Sequence, residues 1–134
     1  MEGMRLFELT NAVGTSIIDL TNYIVVPTYK VNNKPHFTEW TDGDLVLHRD
    51  VQRYYLEGSF TLLFTDIEDY QNFLTRYKQA LNATGEGNVY SYVYSNNDHE
   101  LNFTKVFMDF ELANEMPFMG IKEIDGIEVN IREV

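Results

Sequence analysis

A chain of 134 residues and 15.7 kDa has room for one hydrophobic core rather than two. With 44% hydrophobic, 23% charged and 14% aromatic residues it has the make-up of a folded domain, and 10 Lys and Arg against 21 Asp and Glu, a formal net charge of -11, disfavour adhesion to nucleic acid phosphates or an anionic membrane. The absence of cysteine excludes disulfide scaffolds, thiol nucleophiles and cysteine-bound metals together.

The first residues, Met1 to Phe7, lack the basic start and apolar run of a signal peptide, and no stretch approaches a membrane-spanning length, so the chain is expected in the cytoplasm when made. Arg5 to Thr10 and Tyr23 to Val31 have strand composition, but Pro27 demotes the second to an edge or broken strand. Between Lys30 and Asp50, two turn-rich groups, Asn32-Asn33-Lys34-Pro35 and Thr41-Asp42-Gly43-Asp44, flank an aromatic stretch with His36, Phe37 and the single Trp40. Two readings stand: a hairpin whose Phe37 and Trp40 fold onto the core, or a projecting arm whose aromatics dock on a partner, as interface anchors do.

Alternation dominates the rest. From Val51 to Phe64 one face carries Tyr54, Leu56, Gly58, Phe60, Leu62 and Phe64, predicting a long half-buried strand with a bulge or bend at Gly58. A helix over about residues 66–83 follows: Thr65-Asp66-Ile67-Glu68 fits a capping box with Thr65 as cap, and Ile67, Tyr70, Phe73, Leu74, Tyr77 and Leu81 form one apolar stripe that closes near Gly85. Val89 to Ser95 places Tyr90, Tyr92 and Tyr94 on one strand face. Asn96-Asn97-Asp98 then turns the chain into a strand from Leu101 to Leu112. After the turn signal Asp125-Gly126, Ile127, Val129 and Ile131 alternate with polar residues and should pair back into the sheet. The expected class is a strand-rich α+β single domain, an antiparallel β-barrel or β-sandwich with one flanking amphipathic helix.

Catalytic patterns are missing. His36, His48 and His99 lie far apart in no ligand spacing, and neither Asp42-Gly43-Asp44 with His48 nor Asp98-His99-Glu100 has the pattern of a calcium loop. There is no phosphate-binding loop, no nucleophile elbow and no dinucleotide fingerprint. Asn82-Ala83-Thr84 and Asn102-Phe103-Thr104 match the glycosylation tripeptide only by chance, one ending a helix and one inside a strand. The expectation is a chain with no catalytic residue, metal or cofactor.

Thr41-Asp42-Gly43-Asp44 with His48-Arg49-Asp50-Val51, then Gly58 to Phe64 leading into the helix, Val106 to Leu112, and Ile124 to Val129 together give a layout that resembles small tail or baseplate components of long-tailed bacteriophages and their prophage relatives. The likeness spans about residues 40–134 and is one of texture, without a diagnostic motif. It implies a non-enzymatic, tail-tube-like virion protein, made in a bacterial cytoplasm and assembling into hexameric rings with itself and with other tail proteins. DNA would be only a passenger that does not stick. On that reading His36, Phe37 and Trp40 reach a neighbouring subunit, and Glu111, Glu123 and Glu128 face a ring lumen. The alternative is a small-ligand or glycan-binding module in which Tyr90, Tyr92 and Tyr94, with Trp40, line a groove.

Overall fold

The computed structural model describes residues 5–111 and 124–134. Seven strands, β1 (Phe7–Thr10), β2 (Ser16–Asp19), β3 (Lys30–Thr41), β4 (Leu47–Phe64), β5 (Val89–Tyr94), β6 (Leu101–Phe110) and β7 (Ile124–Glu133), and one helix, α1 (Ile67–Thr84), make up its regular structure. All strand pairs are antiparallel, in the order β2-β1-β5-β6-β7-β4-β3. The strand-rich α+β class is as expected. The barrel or sandwich is not: the strands lie in one sheet that is not closed into a barrel, and β2 and β3 are its edges.

One face of the sheet holds the core. In register across it stand Val89 with Val106, Met108 with Ile131, Val129 with Phe60, and Ile127 with Leu62. Helix α1 adds Tyr70, Phe73 and Ala80 as buried residues, and Phe73 stacks on Phe64 at 5.4 Å. Its N-cap is Asp66, whose carboxylate accepts from the Glu68 N–H at 2.9 Å, so the cap sits one residue after Thr65. Its end is the expected one: Gly85, at φ 69°, donates its N–H to the Leu81 carbonyl, a left-handed position where glycine carries no Cβ penalty. At 18 residues it is the longest helix among those described, and none of them is long and apolar enough to cross a membrane.

Four local expectations change. Tyr23 to Val31 is not a broken strand but two single 3-10 turns, Thr21–Tyr23 and Val26–Thr28, the second holding Pro27 in its first turn, with strand only from Lys30. Ser16–Asp19, four residues long, is a strand too short to show a period. Asp125-Gly126 is no hairpin turn. It lies inside β7 where the register with β4 slips between Leu62↔Ile127 and Phe64↔Ile124, so the strand accommodates one extra residue there. Gly58 is no bulge either, being paired in regular register with Val31 and Ile131. Its role is close approach: a Cβ at Gly58 would lie 2.3 Å from the Lys30 carbonyl oxygen and 2.6 Å from the Val31 Cα.

The sheet curls enough to bring its far parts together. Tyr29, just before β3, is buried, and its hydroxyl lies 2.9 Å from the Leu6 carbonyl beside β1 and 2.5 Å from the Tyr94 carbonyl at the end of β5, sharing one proton between them. Its ring stacks on Phe60 at 5.7 Å, and Phe60 packs on Phe7 at 5.1 Å. Burial raises the Tyr29 phenol well above its ordinary value, which favours the neutral, donating hydroxyl. Next to it the Asn96 N–H donates to the Val31 carbonyl at 2.7 Å, and the Asn97 side chain donates to the Asn33 carbonyl at 2.8 Å.

Two substitutions test this packing. Tyr29→Phe keeps the ring and removes the donor, and it should cost about 1–3 kcal/mol, read as a lower urea midpoint with an unchanged slope. Gly58→Ala should cost more than the ~1–3 kcal/mol of ordinary overpacking, because backbone rather than a side chain must yield. Gly126→Ala, whose Cβ would meet only the Thr61 Cγ2 at 3.1 Å, is its mild control.

Candidate functional site

Strands β3 and β4 outrun the sheet. β7 pairs with β4 only from Glu57 onward, whereas β3 and β4 stay paired out to Thr41↔Leu47. Residues 47–56 of β4, with their β3 partners, therefore form a two-stranded arm about 30 Å long at roughly 3.4 Å per residue. The arm also explains why Tyr54, in phase with Leu56 and Phe60, is exposed while those two are buried: the core ends beneath it.

A register shift beside His36 and Phe37 sets the arm's faces. Beyond it Phe37 pairs with Val51 and Glu39 with Arg49, while Thr38 pairs with Asp50 and Trp40 with His48 on the opposite side. On the first face Arg49 lies 4.1 Å over the Phe37 ring and bonds the Glu39 carboxylate at 2.6 Å. On the second, Trp40 stacks on His48 at 5.4 Å, and His36 meets the Gln52 amide oxygen at 3.0 Å. Phe37 is 36% exposed and Trp40 50% exposed, so the two aromatics lie on opposite faces and neither joins the core. Seven of the eleven exposed large hydrophobic residues among those described belong to the arm: Phe37, Trp40, Leu45, Val46, Leu47, Val51 and Tyr54. Such a concentration is what surfaces that meet a partner show.

The tip is tightly built. Asp42 accepts from the Asp44 and Val46 N–H groups at 2.9 and 3.1 Å through one carboxylate oxygen, and from the His48 Nε2–H at 2.7 Å through the other. The loop closes with Leu45 at φ 64°, a left-handed position that usually takes glycine and that costs a non-glycine residue about 1–2 kcal/mol. Leu45 occupies it with its side chain 85% exposed. Asp42-Gly43-Asp44 thus works as a turn, and among the described residues no three His, Asp or Glu side chains come together as a metal site.

The other sheet face is aromatic at β5 and β6. Tyr90 stacks parallel to Phe103 at 6.0 Å, Tyr92 meets Phe103 at 5.2 Å, Arg5 lies 4.7 Å over Tyr92 and Lys105 5.9 Å from Tyr90. Tyr94 turns away to His99, 3.3 Å from its Nδ1. The structure therefore splits the groove expected from Tyr90, Tyr92, Tyr94 and Trp40. The tyrosines are on β5, and Trp40 stands seven residues further along the arm than Asn33, the β3 residue that contacts Ser95 and Asp98. Phe103, whose 44% exposure makes it part of this surface, was hidden by reading the tyrosines as one strand's stripe rather than as half of a cross-strand set.

Compared with protein-family models, curated proteins and solved structures, the chain matches none of them.

Of the three carboxylates expected at a lumen, Glu123 lies outside the described residues. Glu111 is exposed one position after the last β6–β7 pair, Phe110↔Val129, and Glu128 is exposed one position before Val129, so both sit at the same end of the sheet. The face of Glu128 is not uniformly acidic. It carries the cations Arg5, Lys30, Lys34, Arg53, Lys105 and Arg132 beside the carboxylates Glu8, Asp19, Glu57, Asp109 and Glu128.

The tip responds to acid in a defined direction. The hydrogen bond from His48, and then those from the Val46 and Asp44 N–H groups, hold the Asp42 carboxyl below the ordinary aspartate value of 3.8. A carboxyl lowered by folding supports the turn above its ordinary value, and that support is lost as pH falls through the lower folded value. Trp40 emission should therefore change with a midpoint below pH 3.8, and Asp42→Asn should abolish that step. A midpoint above the ordinary value would contradict the assignment.

Proposed function

We propose that this chain is a non-enzymatic structural subunit that assembles with copies of itself into rings, as part of a phage tail or tail-like assembly that also includes other tail proteins. The observation that carries the proposal is the arm. An isolated two-stranded ribbon is marginally stable in water, and one that exposes apolar side chains on both faces has most to gain from a second surface. His36, Phe37 and Trp40 remain the subunit-contact residues of this reading, now with Phe37 and Trp40 assigned to opposite faces of the arm.

The charge layout supports the same function. Six of the nine cations among the described residues, Arg5, Lys30, Lys34, Arg53, Lys105 and Arg132, lie on the aromatic sheet face and its continuation into the arm, so among those residues the other surfaces hold more carboxylates than cations. Those surfaces, rather than the face that holds Glu128, would keep phosphates off if DNA passes through the ring. The glycan-binding alternative has less support, because Trp40 is not beside the tyrosines, which group instead with Phe103, Arg5 and Lys105.

Mass photometry and negative-stain microscopy of the full chain should show rings. Replacing residues 37–51 by a two-residue Asn-Gly turn should leave a folded monomer, with rings abolished and far-UV circular dichroism retaining a mixed sheet and helix signal. Rings that survive the replacement would overturn the arm's role.

A further inference from the structure

We infer that the tip of the arm of one copy docks on the β5–β6 aromatic face of a second copy, with Leu45 seated against Phe103 and Val13 and with Asp42 and Asp44 facing Arg5 and Lys105. The inference rests on the self-assembly reading and names the acceptor surface that reading leaves open.

The exposed hydrophobics select the two surfaces. Outside the arm, four large hydrophobic residues are exposed among those described: Val13, Val26, Phe103 and Val134. Val13, 84% exposed, belongs to the turn whose Gly14 packs on Tyr92 and Phe103, close enough that a Cβ there would lie 2.7 Å from the Tyr92 hydroxyl. Val134 donates its N–H to the Lys105 carbonyl. Three of the four therefore rim one aromatic patch.

Charge then matches patch to tip. From Asp42 to Leu47 the tip carries two carboxylates and no cation, beside Leu45, Val46 and Leu47. The patch is bracketed by Arg5 and Lys105, held over ring faces where they remain available to a carboxylate. Their present partners are replaceable in part: Lys105 bonds Glu86 at 3.2 Å, and that carboxylate is 61% exposed. Arg5 bonds Glu8 through Nε and one terminal nitrogen, its side chain remaining 40% exposed, and a guanidinium has further N–H donors for a second carboxylate. Apolar meets apolar and acid meets base, which is the arrangement that steers and orients association.

Leu45 is the third observation. Glycine would relieve its left-handed backbone and remove an exposed apolar side chain at once, so nothing within a single copy accounts for leucine there. A contact supplied by another copy does. Tip and patch are different surfaces of one chain, so the contact is head-to-tail and propagates to a ring or a filament, not to a closed two-fold dimer.

The chain has no cysteine, which makes cross-linking clean. A chain carrying both Leu45→Cys and Val13→Cys should give a ladder of disulfide-linked multimers on oxidation, while each single variant stays unlinked. Lys105→Glu should weaken association at least tenfold by mass photometry, and Asp44→Lys in the same chain should restore it. Leu45→Gly should raise the melting temperature of the subunit while weakening association tenfold or more, a split that a merely structural role would not produce. Multimers without a ladder, or covalent dimers from Leu45→Cys alone, would overturn this docking and leave the assembly reading standing. A chain that stays monomeric at every concentration would overturn the assembly reading itself.

Discussion

The shared proton of the buried Tyr29 hydroxyl, lying between the carbonyls of Leu6 and Tyr94, is the constraint on which the rest of the molecule depends. An open seven-stranded sheet has two raw edges and no reason to curl beyond its natural twist. Here a single phenol joins the residue before β3 to the flanks of β1 and β5, strands that stand five and four places away in the sheet. The aromatic column Tyr29, Phe60 and Phe7 fills the space beneath that bond, so hydrogen bond and packing reinforce each other at one point. With the curl in place, backbone at Lys30 and Val31 presses onto Gly58, and only a residue without Cβ fits there.

The same seam roots the arm. Asn33 of β3 contacts Ser95 at 3.2 Å and Asp98 at 3.0 Å, and receives Asn97 on its carbonyl. On the other strand Leu56 donates its N–H to the Glu133 carboxylate at 3.1 Å. Both strands of the ribbon are thus clamped at one level, and everything beyond that level projects. A ribbon pinned at its base and closed at its tip by Asp42 has few ways to bend except along its own twist, which makes it a positioned element instead of a loose loop.

Legibility in the sequence follows periodicity. Leu56, Phe60, Leu62 and Phe64 on β4, the alternation of β5 and β7, and the stripe Tyr70, Phe73 and Tyr77 on α1 could be read because burial on one face repeats at the period of the element. The arm could only be suspected. Past Leu56 no core lies beneath β4, and the shift beside His36 reverses which residues share a face, so the alternation that marks a strand dissolves where the strand is longest. The open sheet was illegible for a related reason: alternating strands suit a barrel, a sandwich and a curled sheet equally, and the choice rests on one tyrosine at a position with no periodic signal. The aromatic face was half legible, since Tyr90 and Tyr92 are conspicuous but Phe103 and Arg5 join them only through register and chain folding.

Charge acquires a direction once the fold is known. A net charge of -11 describes a molecule that repels copies of itself as readily as it repels phosphates. On the proposed self-assembly, an acidic chain of this kind must hold cations where a neighbour arrives. The outer sheet face holds such cations: Arg5, Lys105 and Arg132 lie over Tyr92, Tyr90 and Phe107, with Arg5 also paired to Glu8 and Lys105 to the exposed Glu86. On that proposal, segregating charge between surfaces would reconcile solubility with association, because repulsion would hold copies apart in every orientation except the one that brings acid to base.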